Sequence, residues 1–317
     1  MKFIPELEGL RGLAVALVVI LHTTPWLPNA GLVGVELFFA LSGYLTARIA
    51  LEQELSWTDF MARRLRRIWP LLLVVCLVCF AAFSTFERPY WEAVGAAVFL
   101  EGPRFATGAI TYISHTWTLT VEILCYAIIG LLALGRDRLQ FAIGALVCAV
   151  FSVVLWSMLD TSGMHKAAYG LPISRASTIF LGAILACLPP LKRSVAQWAA
   201  PAALMILGFI AIGTTAIPVA VVGLLAMVAV AGLVAAPMAL MRAPGLTALG
   251  RISFGVYLWH FPIAMILVDA PAVASFTITS LVSILLARLT YQTIEMPFRS
   301  PRSDRAGLRR SAEFNVG

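Results

Sequence analysis

Ten apolar stretches of bilayer-spanning length follow one another along this chain, at about 10–27, 33–51, 68–86, 115–134, 140–158, 173–188, 197–213, 216–236, 249–268 and 275–294. A bilayer core takes roughly 20 apolar residues per helix. Backbone groups in lipid must also satisfy their own hydrogen bonds, so this pattern restricts the chain to an all-α, polytopic membrane bundle of about ten helices. Composition agrees, with 61% of residues hydrophobic and only 12% charged, where a soluble domain carries about a quarter charged residues. An outer-membrane barrel is excluded because its strands alternate polar and apolar residues.

The charged minority sets the orientation. If the shorter apolar stretch Trp91–Leu100 does not cross, seventeen of the 23 Lys and Arg residues fall on the side of the N-terminus, among them Arg48, Arg63, Arg64, Arg66, Arg67, Arg136, Arg138, Lys192, Arg193 and Arg242. Arg88, Arg104, Lys166 and Arg175 fall on the other side. Positive charge marks the cytoplasmic face, so both termini are expected inside. A crossing at 91–100 would invert the later loops and scatter the charge. The net charge of +7 therefore reads as a topology signal, and no nucleic-acid partner is expected. Arg11 lies inside the first apolar run, which favours an uncleaved first helix over a signal peptide. Residues 1–298 form the expected membrane domain and 299–317 a short basic cytoplasmic tail. The five cysteines lie in apolar runs and read as packing residues.

Ionisable residues inside spans are costly and normally face a cavity or a partner. The first span holds Arg11 and His22. Eleven helical positions return about 20° past three turns, so the two side chains share one face roughly 16 Å apart. Glu36 in the second span is expected at the depth of His22 on an antiparallel neighbour, where a carboxylate fixes the imidazole tautomer and raises its basicity. Glu122 in the fourth span and His260 in the ninth fall near the same depth. These groups stand one per helix without paired spacing, which argues against a metal site. A buried hydrogen bond that only locks the first hairpin is the plain alternative for His22 and Glu36.

On the inner side, Arg63-Arg64-Leu65-Arg66-Arg67 abuts the third span. Arginines so placed can grip phosphates by bidentate hydrogen bonds, or anchor the helix and contact anionic membrane lipids.

These residues resemble acyltransferase family 3, membrane proteins that transfer acyl groups, usually acetyl, to hydroxyls of extracytoplasmic glycans and other acceptors. The resemblance covers nearly the whole chain. It rests on Arg11-x10-His22, Gly34-Val35-Glu36-x-Phe38-Phe39-x-x-Ser42-Gly43, Arg63-Arg64-x-x-Arg67-Ile68-x-Pro70, Trp117-Thr-Leu-x-x-Glu122, Ser253-Phe-Gly-x-Tyr257-x-x-His260-x-Pro262 and Glu295-x-Pro297. It implies that His22 is the catalytic histidine with Arg11 its motif partner, and that Glu36 and Glu122 belong to the catalytic group. Arg63, Arg64 and Arg67 are the implied acyl-CoA contacts, and Ser42, Trp117, Tyr257 and His260 the implied substrate contacts. Thr118 stands where the family commonly has Ser.

The expected donor is acyl-CoA, most simply acetyl-CoA, with no bound cofactor and no metal. The expected acceptor is a carbohydrate or glycolipid. Some relatives carry a further extracytoplasmic domain, so this chain is expected either to complete the transfer alone or to pass the group to an extracytoplasmic acyl-transfer partner. The implied location is a bacterial inner membrane. A secondary transporter or flippase using the same His, Glu and Arg residues as a proton path is the rival, but no inverted repeat is visible.

Overall fold

A computed structural model describes residues 3–53, 55–83, 111–135, 137–215 and 217–299. The stretch Trp91–Leu100, the charges at Arg88, Arg104 and Arg136, and the tail beyond residue 299 lie outside them. Among the described residues the structure is helical, with no strand. The long helices are α1 (Pro5–Thr23), α2 (Ala30–Glu52), α3 (Trp57–Phe83), α4 (Trp117–Ala133) and α5 (Arg138–Thr161). A short α6 (His165–Gly170) leads to α7 (Ser177–Leu185), α8 (Arg193–Ile212) and α9 (Val219–Ala235). The chain then forms α10 (Pro244–Arg251), α11 (Ser253–Ile266) and α12 (Ala272–Thr290), which a π-turn at Tyr291–Glu295 extends into α13 (Met296–Arg299).

Six segments are long and apolar enough to cross a membrane: Ala30–Glu52, Trp57–Ala82, Ser114–Ala133, Arg138–Thr161, Arg193–Ile212 and Ala272–Phe298. Val219–Ala235 and Ser253–Ile266 are apolar but shorter. The outer faces carry the same message. On α5 a single stripe of Phe141, Ala145, Ala149 and Ser152 is buried, while Leu139, Ile143, Val147, Val150, Phe151, Val154 and Met158 are exposed. An apolar face of that extent is incompatible with water but matches lipid. The chain is a multi-pass membrane protein.

Two apolar stretches fold differently from continuous spans. The run 173–188 yields only the nine-residue α7, because Pro172 precedes it and the Pro189-Pro190 pair follows, and neither can continue a helix. The run 249–268 breaks at Ile252, which separates α10 from α11.

Helix α2 sits at the centre, with 78% of its most apolar stretch buried against 17% for α5. One of its sides joins α1, α8 and α9 through Val33, Leu37, Leu41 and Tyr44, and another meets α4, α5 and α7 through Phe39 and Ala47. The α2–α7 contact is made backbone to backbone. A Cβ at Gly43 would lie 1.8 Å from the Ile179 carbonyl oxygen, and one at Gly182 would lie 2.2 Å from that of Ala40. Without a hydrophobic drive between helices in lipid, such close approach supplies the packing energy. Gly43→Val is therefore expected to destabilise the bundle by more than the roughly 1–3 kcal/mol of ordinary overpacking, because the obstacle is backbone. Thermal unfolding in detergent measures this, with Gly208→Ala as the control, since nothing lies within 4 Å of a Cβ there. An unchanged midpoint for Gly43→Val would contradict the packing described.

Candidate active site

The α3 helix sorts its four arginines by face. Arg64 and Arg67 stand three residues apart and line a cavity, whereas Arg63 and Arg66 are exposed. Arg63 donates from Nη1 to Gln53 Oε1 at 3.2 Å, and Arg66 donates from Nε to the Ala62 carbonyl of its own helix at 3.2 Å. The cavity lies between α1, α2, α3, α4 and α11 and holds about 750 Å³, open solvent at its mouth included. Arg11, Ser42, Glu122 and Tyr257 are among its other polar lining residues, and Phe38, Phe39 and Phe254 supply apolar walls.

Arg64 is deeply placed. It is 7% exposed, with its guanidinium 5.2 Å from the Tyr126 ring centroid and 5.5 Å from that of Phe60. The Tyr126 hydroxyl shares a hydrogen bond of 2.7 Å with Ser42 Oγ. Arg64 Nη2 is buried without a hydrogen-bond partner among the described residues, so it is a donor held ready for an acceptor that enters the cavity. Glu122 has the hydroxyls of Ser42 and Tyr126 and the guanidinium groups of Arg67 and Arg11 around it. Arg11, Arg64 and Arg67 thus outnumber the carboxylates close to them, Glu122 and Glu8, which favours an anionic ligand. Arg11 also reaches Glu8 Oε1 at 3.4 Å.

Tyr257 divides this cavity from a cluster of three histidines. Its hydroxyl donates to the His115 carbonyl oxygen and accepts from Thr118 Oγ1 at 2.6 Å. Beyond it, His22 and His260 have ring centroids 5.2 Å apart, and His115 and His260 5.4 Å apart. Phe261 lies 4.9 Å from both His22 and His115. His115 and His260 are buried, while His22 keeps part of its surface exposed. His22 is thus the member of the cluster that an incoming molecule can reach.

The pairing expected of Glu36 needs correcting, and Trp117 and Glu122 lie among other partners than His22. Glu36 does not orient His22. Its Oε1 accepts from Arg175 Nη2 at 2.7 Å in an ion pair whose side chains are 0% and 1% exposed. Similar depth does not decide the partner, because face does: Glu36, Ala40 and Gly43 form one stripe on α2, and Ala40 and Gly43 pack on α7, beside Arg175. Trp117 lies under Arg175, with 5.4 Å from guanidinium to ring centroid, as does Tyr169 at 5.1 Å. Trp117 therefore backs the ion pair and does not line the cavity. Glu122 is grouped with the arginines rather than with His22.

Sequence reasoning missed His115, Tyr126 and Arg175 as members of these groups. All three are polar groups within or at the edge of apolar runs, the same signal that singled out His22. His260, expected to touch substrate, is fully buried behind Tyr257.

Removing one partner of a buried ion pair leaves the other unpaired, at a cost of about 3–5 kcal/mol. Glu36→Ala is accordingly expected to reduce the monodisperse fraction on size-exclusion chromatography, and Glu36→Leu combined with Arg175→Met to restore it. A well-behaved Glu36→Ala protein would show that the pair carries little stability.

An arginine-lined cavity thus ends one side chain away from a histidine cluster, inside a lipid-facing membrane bundle. The acyltransferase domain model matches residues 4–290, and the chain belongs to that acyltransferase family. It is 26% identical over 354 residues to the peptidoglycan O-acetyltransferase OatA of Listeria monocytogenes, covering 94% of this chain and 56% of the relative. It is also 26% identical over 349 residues to a Staphylococcus aureus protein provisionally named an O-acetyltransferase, covering 94% of this chain and 58% of that one. The chain thus spans a little over half the length of the curated relatives it matches. No solved structure matches it.

Proposed function

We propose that this chain is a bacterial membrane O-acyltransferase. In this reading it moves an acyl group, acetyl in the simplest case, from cytoplasmic acyl-CoA to a hydroxyl of an extracytoplasmic or lipid-linked carbohydrate. The observation that carries the reading is the joining of Arg11, Arg64, Arg67 and Glu122 around one cavity that ends at Tyr257, with His22 in the cluster beyond. Both termini lie inside in this account, with about ten helices traversing or partly entering the bilayer. The cavity then opens toward the cytoplasm, where acyl-CoA is found. Arg67 and Arg64 attract the CoA phosphates and polar pantetheine groups, and the thioester approaches the histidines.

Two routes use His22. In the direct route the acceptor oxygen attacks the thioester carbonyl as its proton passes to the imidazole. The C–S bond breaks, and the thiolate takes the proton back from the imidazolium. In the covalent route an imidazole nitrogen attacks the thioester carbonyl, the C–S bond breaks and CoA leaves as thiolate; the acceptor oxygen then displaces the imidazole, and the acceptor's proton is the one the thiolate gains overall. Glu122, beside two hydroxyls and two guanidinium groups, holds the arginines in place on the donor side.

Peptidoglycan is the acceptor class that the named Listeria relative suggests. The test compares alkali-labile acetyl esters in the peptidoglycan and other envelope glycans of cells with and without the protein. A loss of esters from one glycan supports the reading and identifies the acceptor. Unchanged ester content in every glycan would count against it.

A further inference from the structure

The histidine cluster contains a hydrogen-bond arrangement that admits one consistent placement of protons. His22 Nδ1 lies 2.8 Å from the Val18 carbonyl oxygen. A carbonyl only accepts, so that nitrogen carries the hydrogen. His260 Nδ1 lies 2.6 Å from the Tyr257 carbonyl oxygen, so it too carries its hydrogen. A neutral imidazole has one N–H, which leaves His260 Nε2 with a lone pair. That nitrogen faces His22 Nδ1 at 3.4 Å, and a proton on it would set donor against donor. His260 Nε2 therefore accepts the second, longer arm of a shared hydrogen bond from His22.

We infer that His260 is a positioning residue for His22: together with Val18 it holds the ring hydrogen on Nδ1, so that Nε2 of His22 is the nitrogen that reacts. The inference rests on the proposed role of His22 in acyl transfer. His260 suits the task because it does not move. It is fully buried on α11, bonded to the carbonyl three residues before it, and flanked by His115 and Phe261. The bond a ring makes through one nitrogen fixes which tautomer the other presents. When Nε2 of His22 takes the acceptor's proton, the resulting imidazolium keeps Nδ1–H between Val18 oxygen and the His260 lone pair. The positive charge is thus met by a neutral acceptor, and no carboxylate has to be buried beside the ring. This is the part that the sequence pattern suggested for Glu36, which is instead engaged with Arg175.

The test reads the tautomer without turnover. The full chain, labelled with 15N-histidine and reconstituted in lipid, is examined by solid-state NMR, with resonances assigned by comparison with single-histidine variants. His22 is expected to show a protonated Nδ1 and an unprotonated Nε2. In His260→Ala a second population of His22, protonated on Nε2, should appear. Turnover should fall about 10- to 100-fold, by analogy with the loss seen when an outer partner of a metal-bound imidazole is removed, with donor KM changing less than about twofold. His260→Gln offers an amide oxygen in place of the lone pair and should recover both the tautomer and most of the turnover.

A wild-type His22 protonated on Nε2 would overturn the inference, even if no variant folds. So would a His260→Ala protein with unchanged tautomer and turnover, or a Gln variant no better than Ala. The catalytic reading of His22 fails separately, if His22→Ala transfers acyl groups at the wild-type rate while the spectrum is as expected.

Discussion

His22→Ala should lower acyl transfer by about 100- to 10,000-fold, the range a positioned general base or acid contributes, and by more if the covalent route operates. The loss should appear in turnover and leave acyl-CoA binding nearly intact, because the arginine-lined cavity is separated from His22 by Tyr257 and does not include it. Folding should survive the substitution. His22 keeps part of its surface exposed, and among the described residues its ring hydrogen-bonds its own helix at Val18 and the neighbouring His260. Turnover, donor KM and thermal midpoint on the same preparations separate these outcomes. A variant with wild-type turnover would show that the cluster is packing alone.

Arg67→Ala and Arg64→Ala should each raise the donor KM by roughly 10- to 100-fold, which corresponds to losing one hydrogen bond to a charged group. Arg63→Ala should stay within about twofold of wild type, because Arg63 is exposed and turned toward Gln53. The contrast comes from the cavity: Arg64 and Arg67 line it, whereas Arg63, one residue before Arg64, is exposed and outside its lining. Equal effects at all three positions would return the cluster to a membrane anchor, whose attraction for anionic lipid depends on total charge more than on face. Salt adds a check, since a phosphate contact at the cavity mouth should weaken as ionic strength rises.

The apolar runs forecast most helices because lipid imposes length and composition on each segment independently. Helix α7 escaped, since its brevity comes from flanking prolines rather than from its own apolar residues. In the site, the periodicity of one helix was readable: it placed Arg11 and His22 on one face of α1, whereas which of Arg63, Arg64 and Arg67 line a cavity was not, since all three fall within two turns of α3. Pairings between helices were not, because they depend on rotation as well as depth. Glu36 illustrates this, as its stripe with Ala40 and Gly43 turns it toward Arg175. His115 and Tyr126 are polar residues in apolar surroundings, but their partners, Tyr257 and Ser42, lie far away in sequence, and only the folded bundle brings them together.

The central claim is that this chain uses acyl-CoA to esterify a carbohydrate hydroxyl. The direct measurement supplies acetyl-labelled acetyl-CoA and a soluble peptidoglycan fragment to the purified chain in lipid nanodiscs, following free CoA and alkali-labile label on the acceptor together. The account predicts one CoA released for each ester formed, with both signals lost in His22→Ala. Label that never reaches the carbohydrate in any acceptor series, with no CoA released by the wild-type chain, would contradict it.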